Sequence, residues 1–181
     1  MHELLLNREI YTEVIQKRID NASNHLWIVT ADIKDMYVEQ GIGRNKGFTP
    51  FLGQLAGLVE RGVAVRLIHA KEPGPRFRQD FDRFDALINN ELFERILCPR
   101  VHTKAIVIDG RIGFVGSPNL TGAGMGAKHE DKRNFEAGFV FDEAKPLNKL
   151  IHWIDSLYLG DHCQTCRRRD HCPDPIADRF E

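Results

Sequence analysis

No stretch of this chain is apolar for long enough to cross a bilayer, and no segment repeats. Neither sign of charge prevails: lysine and arginine number 25, aspartate and glutamate 26, and the net charge is -1. The surface as a whole is therefore no electrostatic coat for a polyanion, and an anionic partner has to be held by local charge. The opening residues, MHELLLNREIYTEV, are too short in apolar run and too acidic for a secretory signal, so a soluble, cytoplasmic protein with no membrane partner is expected. Cysteine is scarce, 4 in all, and three of these crowd into one late segment. That distribution suits metal binding better than a disulfide framework. An acidic cluster fit for Mg²⁺ is lacking as well. What is present is an ordinary apolar fraction, 42%, on 181 residues, enough for one domain with a proper core.

Apolar periodicity lays out strands alternating with helices. Arg8 to Ala22 reads as an amphipathic helix with Ile10, Val14, Ile15 and Ile19 on one face, followed by a buried strand, His25 to Asp32. Lys34 to Phe48 is rich in glycine and cations and reads as a loop. Thr49 and Pro50 look like the N-cap and first residue of a helix running to about Arg61 and closed by Gly62. Val63 to Ala70 is a second strand, and Arg76 to Asn89 a charged helix whose Phe77, Phe81 and Phe84 fall at core spacing. Glu94 to Cys98 and Asn134 to Asp142 read as strands, and Lys145 to Leu159 as a helix with Leu150, Trp153, Ile154 and Leu157 turned inward. The pattern is that of an α/β sandwich with a mixed central sheet flanked by helices.

The most informative stretch is Val101 to Asn119, VHTKAIVIDGRIGFVGSPN. An apolar run ends at Asp109-Gly110, a tight-turn pair, and a second run returns to the small polar loop Gly116-Ser117-Pro118-Asn119. A hairpin of this kind gathers His102, Lys104, Ser117 and Asn119 at one end. Lysine supplies charge, serine and asparagine supply donors, and histidine serves as nucleophile or proton carrier, a suitable set for a phosphate group. An ordinary hairpin with a buried histidine and a surface lysine would need none of this polar spacing.

The stretch resembles the signature of the phospholipase D superfamily, H-x-K-x4-D-x6-G-S-x-N, and matches it at His102, Lys104, Asp109, Gly116, Ser117 and Asn119. The resemblance covers about residues 1–160 and implies a phospholipase D-like catalytic domain, leaving 161–181 as a separate cysteine-rich tail packed on it. It implies that His102 attacks phosphorus to form a phosphohistidine, while Lys104 and Asn119 hold the non-bridging oxygens. Ser117 is then a hydrogen-bonding neighbour and Asp109, at the far end of the strand, structural. A glutamate on the following strand orients the histidine in such proteins, and Glu136 is the matching residue here. Two signatures make one site in this superfamily, and this chain has one, so a homodimer is implied. No catalytic divalent ion is implied. The chain's shortness and its loop cations, Arg44, Lys46, Lys71, Arg76, Arg78, Lys128, Lys132 and Arg133, favour a DNA or RNA nuclease. Lipid or small phosphodiester hydrolysis, and nucleic-acid binding or metal sensing without turnover, stand as alternatives.

The tail reads Cys163-x2-Cys166-x5-Cys172-Pro173, and the remaining cysteine, Cys98, precedes His102 by four residues. One upstream cysteine with this spacing resembles the iron–sulfur staples of Cas4 and AddB type nucleases, implying a 4Fe–4S cluster on Cys98, Cys163, Cys166 and Cys172. Zinc on the same thiolates, or with His162 or His171 replacing one, is the alternative. Free thiols on an unstructured tail are the third reading.

Overall fold

The structure is a computed structural model that describes residues 2–34, 36–40 and 47–173. Arg44 and Lys46, among the loop cations, lie outside the described residues. Seven strands form one mixed sheet: β1 (His2–Leu6), β2 (His25–Thr30), β5 (Ala64–His69), β6 (Phe93–Leu97), β7 (Ala105–Ile108), β8 (Ile112–Gly116) and β9 (Ala137–Phe141). Their spatial order is β1-β9-β8-β7-β2-β5-β6. The run β2-β5-β6 is parallel, and every other pairing is antiparallel. The parallel half is joined by helices: α2 (Phe51–Glu60) between β2 and β5, then α3 (Pro75–Phe81) and α4 (Asp85–Asn89) between β5 and β6. A small hairpin, β3 (Tyr37–Gln40) with β4 (Gly47–Pro50), stands apart from the main sheet.

Side-chain alternation assigns each strand residue to one of two cores. Leu26, Ile28, Leu67, Ile106 and Phe114 point to the face covered by α2 and by the first helix, α1 (Arg8–Ile10), which widens to π geometry over Tyr11–Ile19. Ile10, Val14, Ile15 and Ile19 are all fully buried there, as the periodicity requires. Val29, Ile68, Ile96, Val107 and Phe141 point the other way, toward Leu147 and Ile154 of α5 (Ala144–Tyr158).

The second face is covered only in part. Leu4, Phe139 and Val115 sit side by side across β1, β9 and β8, at 55%, 44% and 40% exposure. Trp153, expected to face inward, is 37% exposed on α5.

Four elements depart from the sequence expectation. Lys34 to Phe48 is no simple loop, because β3 and β4 pair within it, with Val38 buried beneath the hairpin. Thr49 and Pro50 end β4 rather than opening the helix, which starts at Phe51 without a side-chain cap. The single helix expected over Arg76 to Asn89 breaks into α3 and α4 at Phe84, whose backbone is extended. The break lets the Phe84 ring lie on Gly53 of α2, where a Cβ would come within 3.1 Å of it. Strand β1 lacked any sequence signal beyond five residues of weak alternation.

His69 closes β5 and is fully buried. Arg95 Nε donates to its Nε2 at 2.9 Å, so Nδ1 carries the proton and donates to the Lys71 carbonyl at 2.8 Å. Burial and then the Arg95 charge push this imidazole down to about 4. Between the ordinary value of 6.5 and about 4, the unfolded chain binds a proton that the folded chain refuses. Stability is thus complete above pH 6.5 and declines as pH falls toward 4, by at most about 1.4 kcal/mol per pH unit from this group. Urea unfolding at a series of pH values should show this slope in the native protein and a shallower one in His69→Gln. An identical slope in both would remove His69 as its source.

Candidate active site

The turn at Asp109-Gly110, with φ of 53° and 61°, is the left-handed pair that a two-residue hairpin needs. It sets β7 against β8 with Ile108 opposite Ile112 and Ala105 opposite Val115. At the open end of the hairpin, Gly116 N donates to the Lys104 carbonyl at 3.1 Å, so residues 102–104 lie beside 116–119. His102 and Lys104 immediately precede β7. Gly116 is needed because a Cβ there would meet the Ala137 carbonyl at 2.8 Å.

Three further elements end at the same rim. Ser117 N donates to the Ala137 carbonyl at 2.9 Å, bringing the start of β9 and Glu136 alongside. The Asn119 side-chain oxygen accepts from Asp32 N at 3.2 Å, and Leu120 N donates to Thr30 Oγ1 at 3.1 Å, bringing in the loop after β2. Lys71, beyond the end of β5, reaches Asp32 at 3.5 Å, and Lys34 reaches it at 3.8 Å. The rim lies at the carboxyl ends of parallel strands β2 and β5, the usual ligand side of an open α/β sheet.

His102 and Ser117 are exposed, while Lys104 and Asn119 are half-buried. Lys104 Nζ donates to the His102 carbonyl at 2.8 Å, which aims the ammonium along the rim. The Glu136 carboxylate accepts from the Ser117 hydroxyl and from Asn134 Nδ2 at 3.0 Å. Among the described residues, no hydrogen bond joins Glu136 to His102. Asn7 and Asp32 are the rim residues that sequence reasoning passed over. Asn7 Oδ1 accepts from Glu136 N at 3.0 Å while its own N–H donates to the Glu136 carbonyl at 2.9 Å. A φ of 49° at Asn7 is its one local mark, and no sequence pattern announces it.

Asp109 stands at the opposite end of β7 from His102 and serves the fold. Its carboxylate accepts from the amides of Asn24 at 2.7 Å, His25 at 3.1 Å and Ser23 at 3.1 Å, and from the Ser23 hydroxyl at 3.0 Å. Partial burial pushes its pKa up, but these bonds outweigh it and hold the carboxyl below the usual range.

Two cavities flank the rim. One of about 260 Å³ is walled by His102, Val101, Trp153, Leu157 and Cys163. The other, about 520 Å³, adjoins Lys34 and Gly122. Tyr37 and Phe48, diagonal neighbours on one face of the β3–β4 hairpin, form part of its wall with Arg76 and Lys128. Arg76 and Lys128 make no ion pair among the described residues, whereas Arg78 is taken up by Asp82 at 3.0 Å.

The four cysteines are free and half-buried. Burial pushes the Cys98 thiol up, opposed by the amides of Arg100 and Val101. The amide of Arg168 and the Arg100 side chain hold the Cys166 thiol below its ordinary value. Among the described residues, no three His, Cys, Asp or Glu side chains stand in ligating array. No helix among them is long and apolar enough to cross a membrane.

A family model described as "Cardiolipin synthase, PLD-like domain" matches residues 15–158 and so stops short of the cysteine tail. No curated protein matches the chain. Among solved structures, NucT from Helicobacter pylori aligns with a TM-score of 0.61 at 13% identity, over 86% of this chain and 94% of that one. A phospholipase D family member, Nuc from Salmonella typhimurium, aligns at 0.55 and 17% identity, over 86% and 93%. TrmBL2, an archaeal chromatin protein whose structure shows a novel mode of DNA binding, aligns at 0.55 and 14%, over 87% and 52%. These likenesses are likenesses of fold.

The Asp109 geometry makes a stability prediction. Asp109→Asn keeps a residue tolerant of the left-handed turn but removes the charge from bonds to three amides. Its urea midpoint should correspond to a loss of about 1–3 kcal/mol. A loss under about 0.5 kcal/mol would show that the charge contributes nothing there.

Proposed function

The chain belongs to the phospholipase D-like (PLD-like) domain family, and on that premise we propose that it is a phosphodiester hydrolase acting on DNA or RNA without a catalytic divalent metal ion. The observation that carries this reading is the convergence of His102, Lys104, Ser117, Asn119 and Glu136 on one rim. In the proposed reaction, an imidazole nitrogen of His102 bonds to phosphorus as the bond to the leaving oxygen breaks. His102 of the partner subunit gives that oxygen its proton. It then takes a proton from water, whose oxygen displaces the imidazole and releases the product phosphate. Lys104 and Asn119 hold the non-bridging oxygens as negative charge develops, and Glu136 and Ser117 hold the polar framework behind them.

One signature supplies one imidazole, and this chemistry uses two. A two-fold homodimer brings the second. The row of Leu4, Phe139 and Val115 supports this, since β8 runs directly into Ser117 and β9 starts just after Glu136. Phe135, next to Glu136 in the chain, is a further exposed apolar side chain, at 96%. The cavity with Tyr37, Phe48, Arg76 and Lys128 favours a polynucleotide over a lipid, because it pairs aromatic faces for bases with cations for phosphates.

Cleavage of labelled single- and double-stranded DNA and RNA in EDTA tests the activity. The native protein should cut, and His102→Ala should be slower by on the order of 10⁴-fold. Absence of cutting by dimeric protein would turn the reading to lipid or small phosphodiesters. Phe139→Asp tests the assembly, because a charge in a buried apolar interface is costly. It should weaken dimerisation at least about tenfold in sedimentation, with activity falling in step. An unchanged dimer would place the interface elsewhere.

A further inference from the structure

Every cysteine of the chain faces one small cavity. Cys98, just past β6, and Cys163, Cys166 and Cys172, beyond α5, line the same space of about 30 Å³. None is engaged in a disulfide. Buried structural cysteines pack singly among apolar side chains. Here two segments remote in sequence bring all of the chain's thiols to one place, half-exposed and beside Arg100, Arg168 and Arg169.

The backbone around them is shaped for sulfur. Val101 N donates to the Cys98 carbonyl at 2.9 Å, and Cys166 N donates to the Cys163 carbonyl at 3.1 Å, each closing a tight turn that begins at a cysteine. Cys172 N donates to the Arg169 carbonyl at 2.9 Å. Arg168 Nη1 further donates to the Pro99 carbonyl at 3.3 Å, tying the two segments directly.

We propose that Cys98, Cys163, Cys166 and Cys172 form a tetrathiolate site for a thiophilic metal centre, a zinc ion or an iron–sulfur cluster. The sulfurs line the cavity without converging on one point. Uptake of metal draws the sulfurs together and displaces the thiol protons. The centre is structural and separate from the chemistry at phosphorus. It fastens the segment after α5 to Cys98-Pro99-Arg100-Val101, the stretch that delivers His102 to the rim. Cys98, Cys163 and Cys166 also line the cavity that His102 faces, so loss of the centre loosens the approach of that histidine.

The test reads metal and thiols rather than turnover, so it stands or falls independently of the hydrolase reading. Full-length protein is produced with zinc and iron supplied, purified without oxygen, and analysed by elemental analysis, acid-labile sulfide and visible absorption. About one zinc per chain identifies the ion, whereas roughly four iron with matching sulfide and visible colour identifies the cluster. The four thiols should resist titration until a chelator is added. Cys172→Ser and Cys163→Ser, with folding checked by circular dichroism, should each lose at least about tenfold in bound metal. Metal-free protein, a metal content unchanged in both variants, or a disulfide between two of the four would each overturn the proposal.

Discussion

The register of β7 against β8 is the constraint on which the site depends. Side chains alternate across a sheet, so a slip of one residue would turn Phe114 out of the core and carry Val115 into it. The same slip would take Ser117 and Asn119 out of reach of Ala137 and Asp32. Asp109 fixes the register twice over. Its backbone takes the left-handed turn, and its carboxylate is claimed by the three amides that open β2. A residue at one end of a strand therefore holds in place the polar rim at the other.

At the opposite end, Ser117 and Glu136 bond to each other, and the rest of the polar rim is held by the scaffold. Asn119 is fastened through Asp32, which also draws in Lys34 and Lys71. Glu136 is fastened through Asn7. Lys104 is turned by a backbone carbonyl. Rigid placement of this kind costs little reorganisation when charge develops on a substrate.

Much of this was legible in the residues because the physics involved is local. Asp109-Gly110 between two apolar runs specifies a hairpin whatever surrounds it. The spacing of Ile10, Val14, Ile15 and Ile19 specifies a buried helical face in the same way. The features that escaped depend on tertiary partners. Strand β1 exists because β9 offers it an open edge, and β3 and β4 exist because each pairs with the other over a buried Val38. Helical spacing ran unbroken through Phe84, yet the helix breaks there to seat the ring on Gly53, a contact with another helix. Asn7 and Asp32 each use a backbone N–H, to Glu136 and to Asn119, for which residue identity carries little signal. The cysteines fall between these cases: their spacing in the tail is local, but the cavity shared with Cys98 is not.

The pairing of β1 with β9 bears on the order in which the molecule is built. The Asn7–Glu136 contact spans 129 residues of sequence, so β1 has no partner until β9 exists. Contacts of such separation carry a large loop-closure cost and come late in folding. Until they form, Leu4 and Leu6 sit on an unclaimed strand that a nascent chain exposes to chaperones. Because the same closure seats Glu136, a chain still emerging from the ribosome has its hairpin of histidine and lysine but not the acid behind it. The rim is therefore assembled only after β9 has been made and has paired with β1.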